Sequence, residues 1–418
     1  WLIAWVVLGL TVVILLVAMG ISPGAWGPLA IRGFPAAGVG LVVAIAAAGA
    51  GQLTSLLWRP LAHGTLGCVH ALLELVSTNP VYEPSRFVVG TDSFVVEIAS
   101  QCSGYEGIGL VWAFLGAYIW FFRRQLRFPQ AWLLLPLGAG VIWLANVVRI
   151  FALVMVGTWI SADVAAGGFH SQAGWMAFIA VGLGLMLFAH RSPFFRRVET
   201  PQVERTVGPS REAVHLAPLL AIVSVAMISS AFSAGGLDRY YPARLVAVAI
   251  PLWLYRREYA AMRWSCSWQA LATGILVFLL WVVRWPGVTS GSPARSALTV
   301  DPMTAWTYTW LLARVIGSVA TVPLAEELAF RGFFTRRLIS AEFDTVPPGR
   351  FTWTSFAVSS VAFGVLHDRW LEGTMAGMLY ALAYYRRGSL GDAVAAHATT
   401  NALLSADALI TGDWSLFS

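Results

Sequence analysis

The chain has 418 residues, of which 58% are hydrophobic and only 11% are charged, and its mean hydropathy is +0.71. This composition lies outside the range of soluble globular proteins and predicts a polytopic membrane protein. The net charge of +6 comes largely from clusters of arginine, which in a membrane protein indicate cytoplasmic loops, so it is no argument for a nucleic-acid partner.

Apolar segments recur along the chain at lengths that fit membrane crossings of about 20 residues. The first is too long and too uniformly apolar for the hydrophobic region of a signal peptide, so we expect a spanning helix there. Together the segments predict roughly a dozen spans. They are residues 1–19, 36–58, 61–76, 103–122, 130–157, 171–190, 213–233, 240–255, 268–285, 303–322, 351–367, 372–385 and 391–411.

A polar stretch rich in Pro, Gly and Ser at residues 190–215 is typical of a linker between domains. We therefore predict two membrane domains, residues 1–195 and 213–418, joined by a cytoplasmic linker at residues 196–212. The predicted fold class is an all-α polytopic membrane protein with two transmembrane helical bundles.

Arginine clusters at residues 123–127 and 191–197 predict two cytoplasmic loops in the first half of the chain. The intervening spans then place Cys102, Arg149 and His170 on the opposite face of the membrane. Three residue types that suit nucleophilic chemistry are thus predicted to share one side.

A small β-structure is expected just before Cys102. Residues 86–98 contain two groups of β-branched and aromatic residues around a Gly-Thr-Asp-Ser turn, which is the pattern of a β-hairpin. We predict an extracytoplasmic hairpin that leads into Cys102.

The three residues of the first candidate site each allow two interpretations. Cys102 lies at the start of an apolar helix, where the unpaired backbone N–H groups would lower its pKa and favour the thiolate, but a buried cysteine can also be a small hydrophobic residue. Arg149 lies within a span, where arginine is costly, and it either serves a functional cavity or anchors the helix. His170 would be a general base or a capping residue.

Three short blocks in this half resemble the signature blocks of the exosortase/archaeosortase family, multispanning enzymes that act on proteins with C-terminal sorting signals. The resemblance covers about residues 1–195. It implies that Cys102 is the nucleophile, Arg149 stabilises the thiolate or the oxyanion, and His170 is the general acid/base. The blocks are Gln101-Cys-Ser-Gly104, Asn146-Val-Val-Arg-Ile150, and His170 followed by Gly174 and Phe178.

A second candidate site begins with two adjacent carboxylates in an apolar segment, Glu326 and Glu327. Buried charges cost several kcal/mol unless they are paired, and Arg331 is spaced to pair with Glu327 on one helix face. Glu326 would then be the freer carboxylate and a candidate base, with its pKa raised by burial. Pro323 predicts a kink or a restarted helix just before it.

The following segments add two histidines and an asparagine. His367 ends an apolar helix, and His397 and Asn401 lie at i and i+4 on one face. A carboxylate with a histidine can activate water, and the His–Asn pair can donate to an oxyanion. Taken singly, each residue also has a structural explanation in helix pairing or packing. A zinc site formed by Glu326, His367 and His397 is a further alternative on ligand type.

These residues match the E-E-x-x-x-R, F-x-x-x-H and H-x-x-x-N motifs and so resemble the CPBP family, membrane proteases related to type II CAAX prenyl endopeptidases. The resemblance covers roughly residues 215–415. It implies that Glu326 and His367 activate water without a metal cofactor, that His397 and Asn401 form an oxyanion hole, and that Glu327 and Arg331 support the geometry.

Together the halves resemble the fused exosortase E/protease group of bacterial protein-sorting systems. The resemblance implies an inner-membrane enzyme, with Cys102 facing the periplasm or the cell exterior. Its expected partners are the lipid bilayer and membrane-anchored proteins that carry a C-terminal sorting signal, meaning a short motif, a transmembrane helix and a basic tail. The alternative is a transporter or a receptor-like scaffold, which also buries Arg, Glu and His within its spans.

Overall fold

The structure is a computed structural model that describes residues 58–99, 102–197, 210–233, 238–282 and 305–411. The predicted spans at residues 1–19 and 36–58 therefore lie outside the described residues, apart from residue 58. Residue 101 of the first signature block also lies outside them.

The first part of the described chain contains four main helices and a small sheet. Shorter helical turns occur at Pro84–Arg86, Gln130–Leu133, Ala162–Val164 and Ala165–Phe169. The main elements are α1 Trp58–Glu74, β1 Val81–Glu83, β2 Val88–Gly90, β3 Val95–Glu97, α2 Tyr105–Phe121, α3 Leu134–Trp159 and α4 His170–Arg191.

The second part is helical throughout its described residues. Shorter turns lie at Arg256–Ala260 and Phe343–Thr345. The main helices are α5 Arg211–Ala231, α6 Pro242–Leu254, α7 Trp268–Val282, α8 Ala305–Arg337, α9 Trp353–Val365, α10 Trp370–Arg387 and α11 Leu390–Thr411. Each corresponds to one predicted apolar segment, so the all-α polytopic prediction is confirmed.

Four of the described helical segments are long and apolar enough to cross a membrane: Gln130–Trp159, which contains α3, Gln172–Arg191 within α4, Arg211–Ala231 and Ala305–Arg337. Several of the others are apolar but shorter, with α2, α6, α7 and α9 between 10 and 17 residues long. The protein is a multi-pass membrane protein built from helices of unequal length.

The predicted hairpin is present and has an additional strand. β2 pairs antiparallel with β3, with Val88 opposite Glu97, and β1 pairs antiparallel with the other edge of β2. Strand β1 was not predicted because a three-residue strand contains too little sequence pattern to recognise. The sheet's placement outside the cytoplasm stays a prediction.

By their internal contacts the described residues form two compact units, divided between residues 197 and 210, except that residues 167–172 group with the second unit. In the first unit α2 and α3 pack through a core that includes Val111, Leu115 and Ile142. In the second unit α9 packs along α10, and α7 packs along α11. The domain limits at residues 195 and 213 stay predictions.

Helix α8 is interrupted by two wide π-helical turns, Gly317–Thr321 and Leu328–Phe334. Between them an α-helical segment restarts at Val322 with Pro323 in its first turn, where the missing N–H is tolerated. The predicted restart before Glu326 is therefore confirmed, and π turns of this kind are frequent at functional sites.

Candidate active sites

Cys102 lies in a tight turn that ends three residues later in helix α2. Gly104 adopts a left-handed conformation with φ +98°, and a Cβ there would lie 3.2 Å from the Asn146 amide nitrogen. The Asn146 amide donates to the carbonyl oxygen of Cys102 at 2.8 Å. Glycine at position 104 therefore lets α3 approach the cysteine, and Asn146 holds the turn in place.

Arg149 lies one helical turn after Asn146 on α3 and contacts the thiol. Its Nη2 is 3.8 Å from Sγ of Cys102. A Cβ at Gly174 of α4 would lie 3.0 Å from Nη1, so the absence of a side chain at residue 174 leaves space for the guanidinium. The structure thus brings together Cys102 and Arg149, for which the topology predicted only a shared face of the membrane.

The protonation of Cys102 differs from the prediction. The thiol is only 7% exposed, and this burial raises its pKa above the ordinary value, while the positive charge of Arg149 and its hydrogen bond to the sulfur act in the opposite direction. The prediction that a helix N-terminus lowers the pKa of this thiol is wrong. Helix α2 begins only at Tyr105, and the effect of burial on the thiol is larger than the effect of the Arg149 charge.

His170 is the first residue of α4 and is half-buried. It follows directly on the π-helical turn Ala165–Phe169. Its position relative to Cys102 and Arg149, and its role as acid or base, stay predictions.

Sequence reasoning missed part of the support around Cys102. Thr65 of α1 donates to the carbonyl of Ser103 at 3.3 Å, and the Trp143 indole donates to the Thr65 hydroxyl at 3.1 Å. Polar residues within apolar segments were the available signal, but only the tertiary contact relates α1 to this turn. The two backbone carbonyls just before Gly104, those of Cys102 and Ser103, are thus held by neighbouring helices.

In the second unit, Glu327 and Arg331 form a buried ion pair. Arg331 Nε is 3.1 Å from one carboxylate oxygen and its Nη1 is 3.2 Å from the other, with side chains 0% and 1% exposed. Arg331 Nη2 also donates to the carbonyl of Gly377 at 2.6 Å. The predicted i, i+4 pair is confirmed, and it additionally ties α8 to α10.

His397 lies between the two carboxylates. Its Nδ1 is 3.0 Å from Oε1 of Glu327, and its Nε2 is 3.9 Å from Oε2 of Glu326. Because an ionised carboxylate can only accept, Nδ1 carries the proton in that contact. The ring is stacked on Tyr380 with centroids 4.7 Å apart, so its plane is held by packing as well.

Glu326 differs from Glu327 in that it lacks an arginine partner among the described residues. Its side chain is 13% exposed, and its Oε2 is buried without a hydrogen-bond partner there. It lines a cavity of about 520 Å³ that is also lined by His367, His397 and Asn401. The structure thus brings the four residues that the motifs predict to contact substrate or water to the wall of one cavity.

His367 and Asn401 are both held by backbone carbonyls. The Nδ1 of His367 is 3.0 Å from the carbonyl of Phe363, which can only accept, so Nε2 carries the lone pair. The Asn401 amide donates to the carbonyl of Ser318 at 2.8 Å, and its second N–H remains for a substrate oxygen.

A zinc centre would require the two histidines and a carboxylate within bonding distance of one point. Among the described residues no group of three His, Cys, Asp or Glu side chains is arranged to hold a metal ion. The described side chains of the alternative zinc set, Glu326, His367 and His397, are therefore not arranged around one point.

Two family models match separate parts of the chain. The transmembrane exosortase (Exosortase_EpsH) model matches residues 1–187, and the type II CAAX prenyl endopeptidase Rce1-like model matches residues 307–403. Neither the curated proteins nor the solved structures give a significant match. The first match contains Cys102, Arg149 and His170, and the second extends from before Glu326 to beyond Asn401.

Proposed function

Since the chain combines an exosortase-like region with a type II CAAX endopeptidase-like region, we propose that it is a bacterial inner-membrane enzyme with two separate proteolytic centres. The two family matches support a membrane protease with a sorting-related function. The substrates, the chemistry and the sidedness are our proposals.

The first centre cleaves the C-terminal sorting signal of exported proteins at the outer face. His170 takes the proton of the Cys102 thiol, the thiolate attacks the scissile carbonyl carbon, the C–N bond breaks, and the departing amine takes that proton from His170. A thioester remains, which an amine or water resolves. The observation that carries this proposal is the guanidinium of Arg149, 3.8 Å from the sulfur, in a position to stabilise the thiolate or the oxyanion.

Replacing the nucleophile tests this first proposal. A co-expressed membrane protein with a sorting motif, a transmembrane helix and a basic tail should go uncleaved by Cys102→Ala, because the thiol that forms the proposed thioester is removed. Mass spectrometry of the substrate gives the cleavage position and any adduct on its new C-terminus. The matched control is Cys266→Ala, which removes an exposed thiol and should process normally. Normal processing by Cys102→Ala would overturn the assignment.

The second centre hydrolyses a peptide bond within the membrane. Glu326 takes a proton from a water molecule, the resulting hydroxide attacks the carbonyl, and Glu326 returns the proton to the leaving amine. The Nδ1–H of His397 is donated to Glu327, so His397 donates to the oxyanion from a protonated Nε2, together with the Asn401 amide. Nε2 of His367 accepts from the water. This proposal is supported by the cavity that these side chains line together. It is also supported by the hydrogen bonds that hold the rings of His367 and His397 and the amide of Asn401 in place.

Glu326→Gln should abolish this second reaction, because an amide cannot take up the proton of water. The discarded sorting tail, or another small membrane protein, should then accumulate uncut in the membrane fraction, as measured by mass spectrometry of membrane peptides. Glu342→Gln, at an exposed position, serves as the control for loss of a carboxylate.

Cleavage of the sorting signal by the Cys102 centre should continue in Glu326→Gln, and loss of that cleavage would indicate one composite site. Normal turnover of both substrates in both catalytic variants would favour a scaffold or transporter.

A further inference from the structure

A second cavity, of about 610 Å³, lies in the second unit, and none of its described lining residues also lines the cavity of Glu326. Its wall includes Arg211, the first residue of α5, and Arg336, in the last turn of α8. These helices form the segments Arg211–Ala231 and Ala305–Arg337, both long and apolar enough to cross a membrane. The cavity therefore lies where two such segments end, which is the level of the lipid headgroups.

Basic side chains outnumber acidic ones in the described wall of this cavity. The charged residues that line it are Arg211, Arg263, Arg336, Glu258 and Asp344. Arg211 Nε forms an ion pair with a carboxylate oxygen of Asp344 at 3.1 Å. Glu258 is then the one lining carboxylate against two remaining arginines, which leaves one positive charge in the described wall.

Arg336 is held in place without a carboxylate partner among the described residues. Its Nε donates to the carbonyl of Val346 at 2.9 Å, its Nη1 to that of Gly332 at 3.2 Å, and its Nη2 to that of Asp344 at 3.2 Å. The guanidinium also lies over the Phe343 ring, 5.3 Å from its centroid. Since a guanidinium has five N–H groups and three are used here, two are left for a ligand.

Arg263 is the more accessible of the two cations. It is exposed and lies in the connection that leads into α7. Its Nη1 donates to the carbonyl of Arg387 at 3.1 Å, and its own carbonyl accepts from the Ser389 hydroxyl at 3.3 Å. The backbone is thus tied to the end of α10, whereas four guanidinium N–H groups are left without a described contact.

The properties of this cavity suit a phosphodiester. Guanidinium groups bind phosphate oxygens through charge-assisted, paired hydrogen bonds, and two such groups suit an anion with several acceptor oxygens. A phosphodiester is singly charged and so matches the one positive charge of the wall. Basic pockets between membrane helices bind phospholipid headgroups in this way. Apolar residues of the same wall suit the glycerol and the first acyl carbons, and they are Val214, Ala261, Met262, Pro348 and Leu390.

We propose that Arg263 and Arg336 form a binding site for a singly charged phosphodiester, presented by the headgroup of an anionic phospholipid or by a soluble molecule. The bound group connects the end of α8 with the connection before α7. Glu258 weakens the binding, because it places a like charge in the same wall. The site needs neither Cys102 nor Glu326 and is independent of both proteolytic centres.

Native mass spectrometry of the full-length, detergent-solubilised chain tests the site without depending on turnover. The probes are dioctanoyl phosphatidylglycerol and dioctanoylglycerol, which has the same acyl chains but no phosphodiester. One phosphatidylglycerol should bind per chain, about tenfold more tightly than dioctanoylglycerol, as expected for charge-assisted contacts. In Arg263→Gln the ratio should fall to near one. Arg336→Lys keeps the charge but loses the paired donors, so it should lower the ratio in part.

Arg337→Gln is the matched control, because Arg337 is exposed, directly follows Arg336 and does not line the cavity. It should keep the full preference. Glu258→Gln removes the like charge and should tighten the binding of phosphatidylglycerol several-fold. Unchanged affinity in Glu258→Gln would mean that the lipid binds outside this cavity.

Competition with glycerophosphoglycerol, the deacylated headgroup, separates the two sources of the phosphodiester. Displacement of the lipid at equal concentration assigns the headgroup alone as the ligand, and retention of the lipid assigns the intact phospholipid. Equal affinity for phosphatidylglycerol and dioctanoylglycerol in the unaltered chain overturns the site. The same holds if Arg337→Gln lowers the preference as much as Arg263→Gln does, because binding would then belong to the basic surface in general.

Discussion

At the scale of the residue, Arg149 is the group that most directly affects the reactivity of Cys102. Burial alone would keep the thiol protonated, and the cation beside it is the described charge that opposes this effect. A resting thiol with a raised pKa needs either the base His170 or an approaching substrate to become a thiolate. The balance between burial and charge at Sγ is therefore open to a direct test.

Arg149→Gln should slow the alkylation of Cys102 about tenfold at pH 8. Loss of the cation raises the pKa of the thiol further, so a smaller fraction of Cys102 is thiolate at any pH below that pKa. The labelling rate should therefore rise with pH around a higher midpoint than in the unaltered chain. The measurement is the rate of iodoacetamide labelling, followed by mass spectrometry, in a background with Cys68→Ser and Cys266→Ser. Arg149→Lys retains a charge and should lie between the two rates. An unchanged rate for Arg149→Gln would mean that the guanidinium does not influence the sulfur.

At the scale of the element, the second site depends on how closely helices α7 and α11 approach. A Cβ at Gly274 of α7 would lie 2.6 Å from Cβ of Thr399 and closer still to the backbone carbonyl of Ala396. The Gly274 carbonyl also accepts from the Thr400 hydroxyl at 2.9 Å. Helix α11 contains His397 and Asn401, so this crossing determines where both side chains enter the cavity.

Gly274→Ala should therefore lower the thermal unfolding midpoint and reduce Glu326-dependent proteolysis several-fold. The backbone of α11 cannot yield as a flexible side chain could, and overpacking of this kind costs about 1–3 kcal/mol. The matched control is Gly140→Ala in α3, where a Cβ meets no atom within 4 Å and the higher helix propensity of alanine should leave stability unchanged or raised. If Gly274→Ala melts and cleaves like the unaltered chain, the crossing is looser than the structure indicates.

At the scale of the whole molecule, the chain consists of two compact units, and each contains its own candidate centre and its own buried core. Cys102 and Arg149 lie in the first, with a core that includes Leu66, Val69 and Ile150. The Glu326 cavity lies beside the core of the second, which includes Phe363, Tyr380 and Leu404. Because the described residues of each site, His170 excepted, are supported by helices of their own unit, we expect the two reactions to respond separately to substitutions.

The helices were predictable from sequence because their signal is local. A run of apolar residues long enough to cross a bilayer must satisfy its own backbone hydrogen bonds, and the helix does this without reference to distant parts of the chain. The same holds for the hairpin β2–β3 and for the ion pair of Glu327 with Arg331, whose partners are close in sequence. Strand β1 escaped prediction because three residues contain too little pattern.

From the sequence alone we could predict the helical membrane fold, a set of candidate site residues and the ion pair within one helix. Only the tertiary structure decided that Asn146 fixes the carbonyl of Cys102, that burial raises the pKa of its thiol, and that His397 lies between Glu326 and Glu327. The physical reason is that burial and charge balance depend on neighbours brought together by packing, which local sequence does not specify.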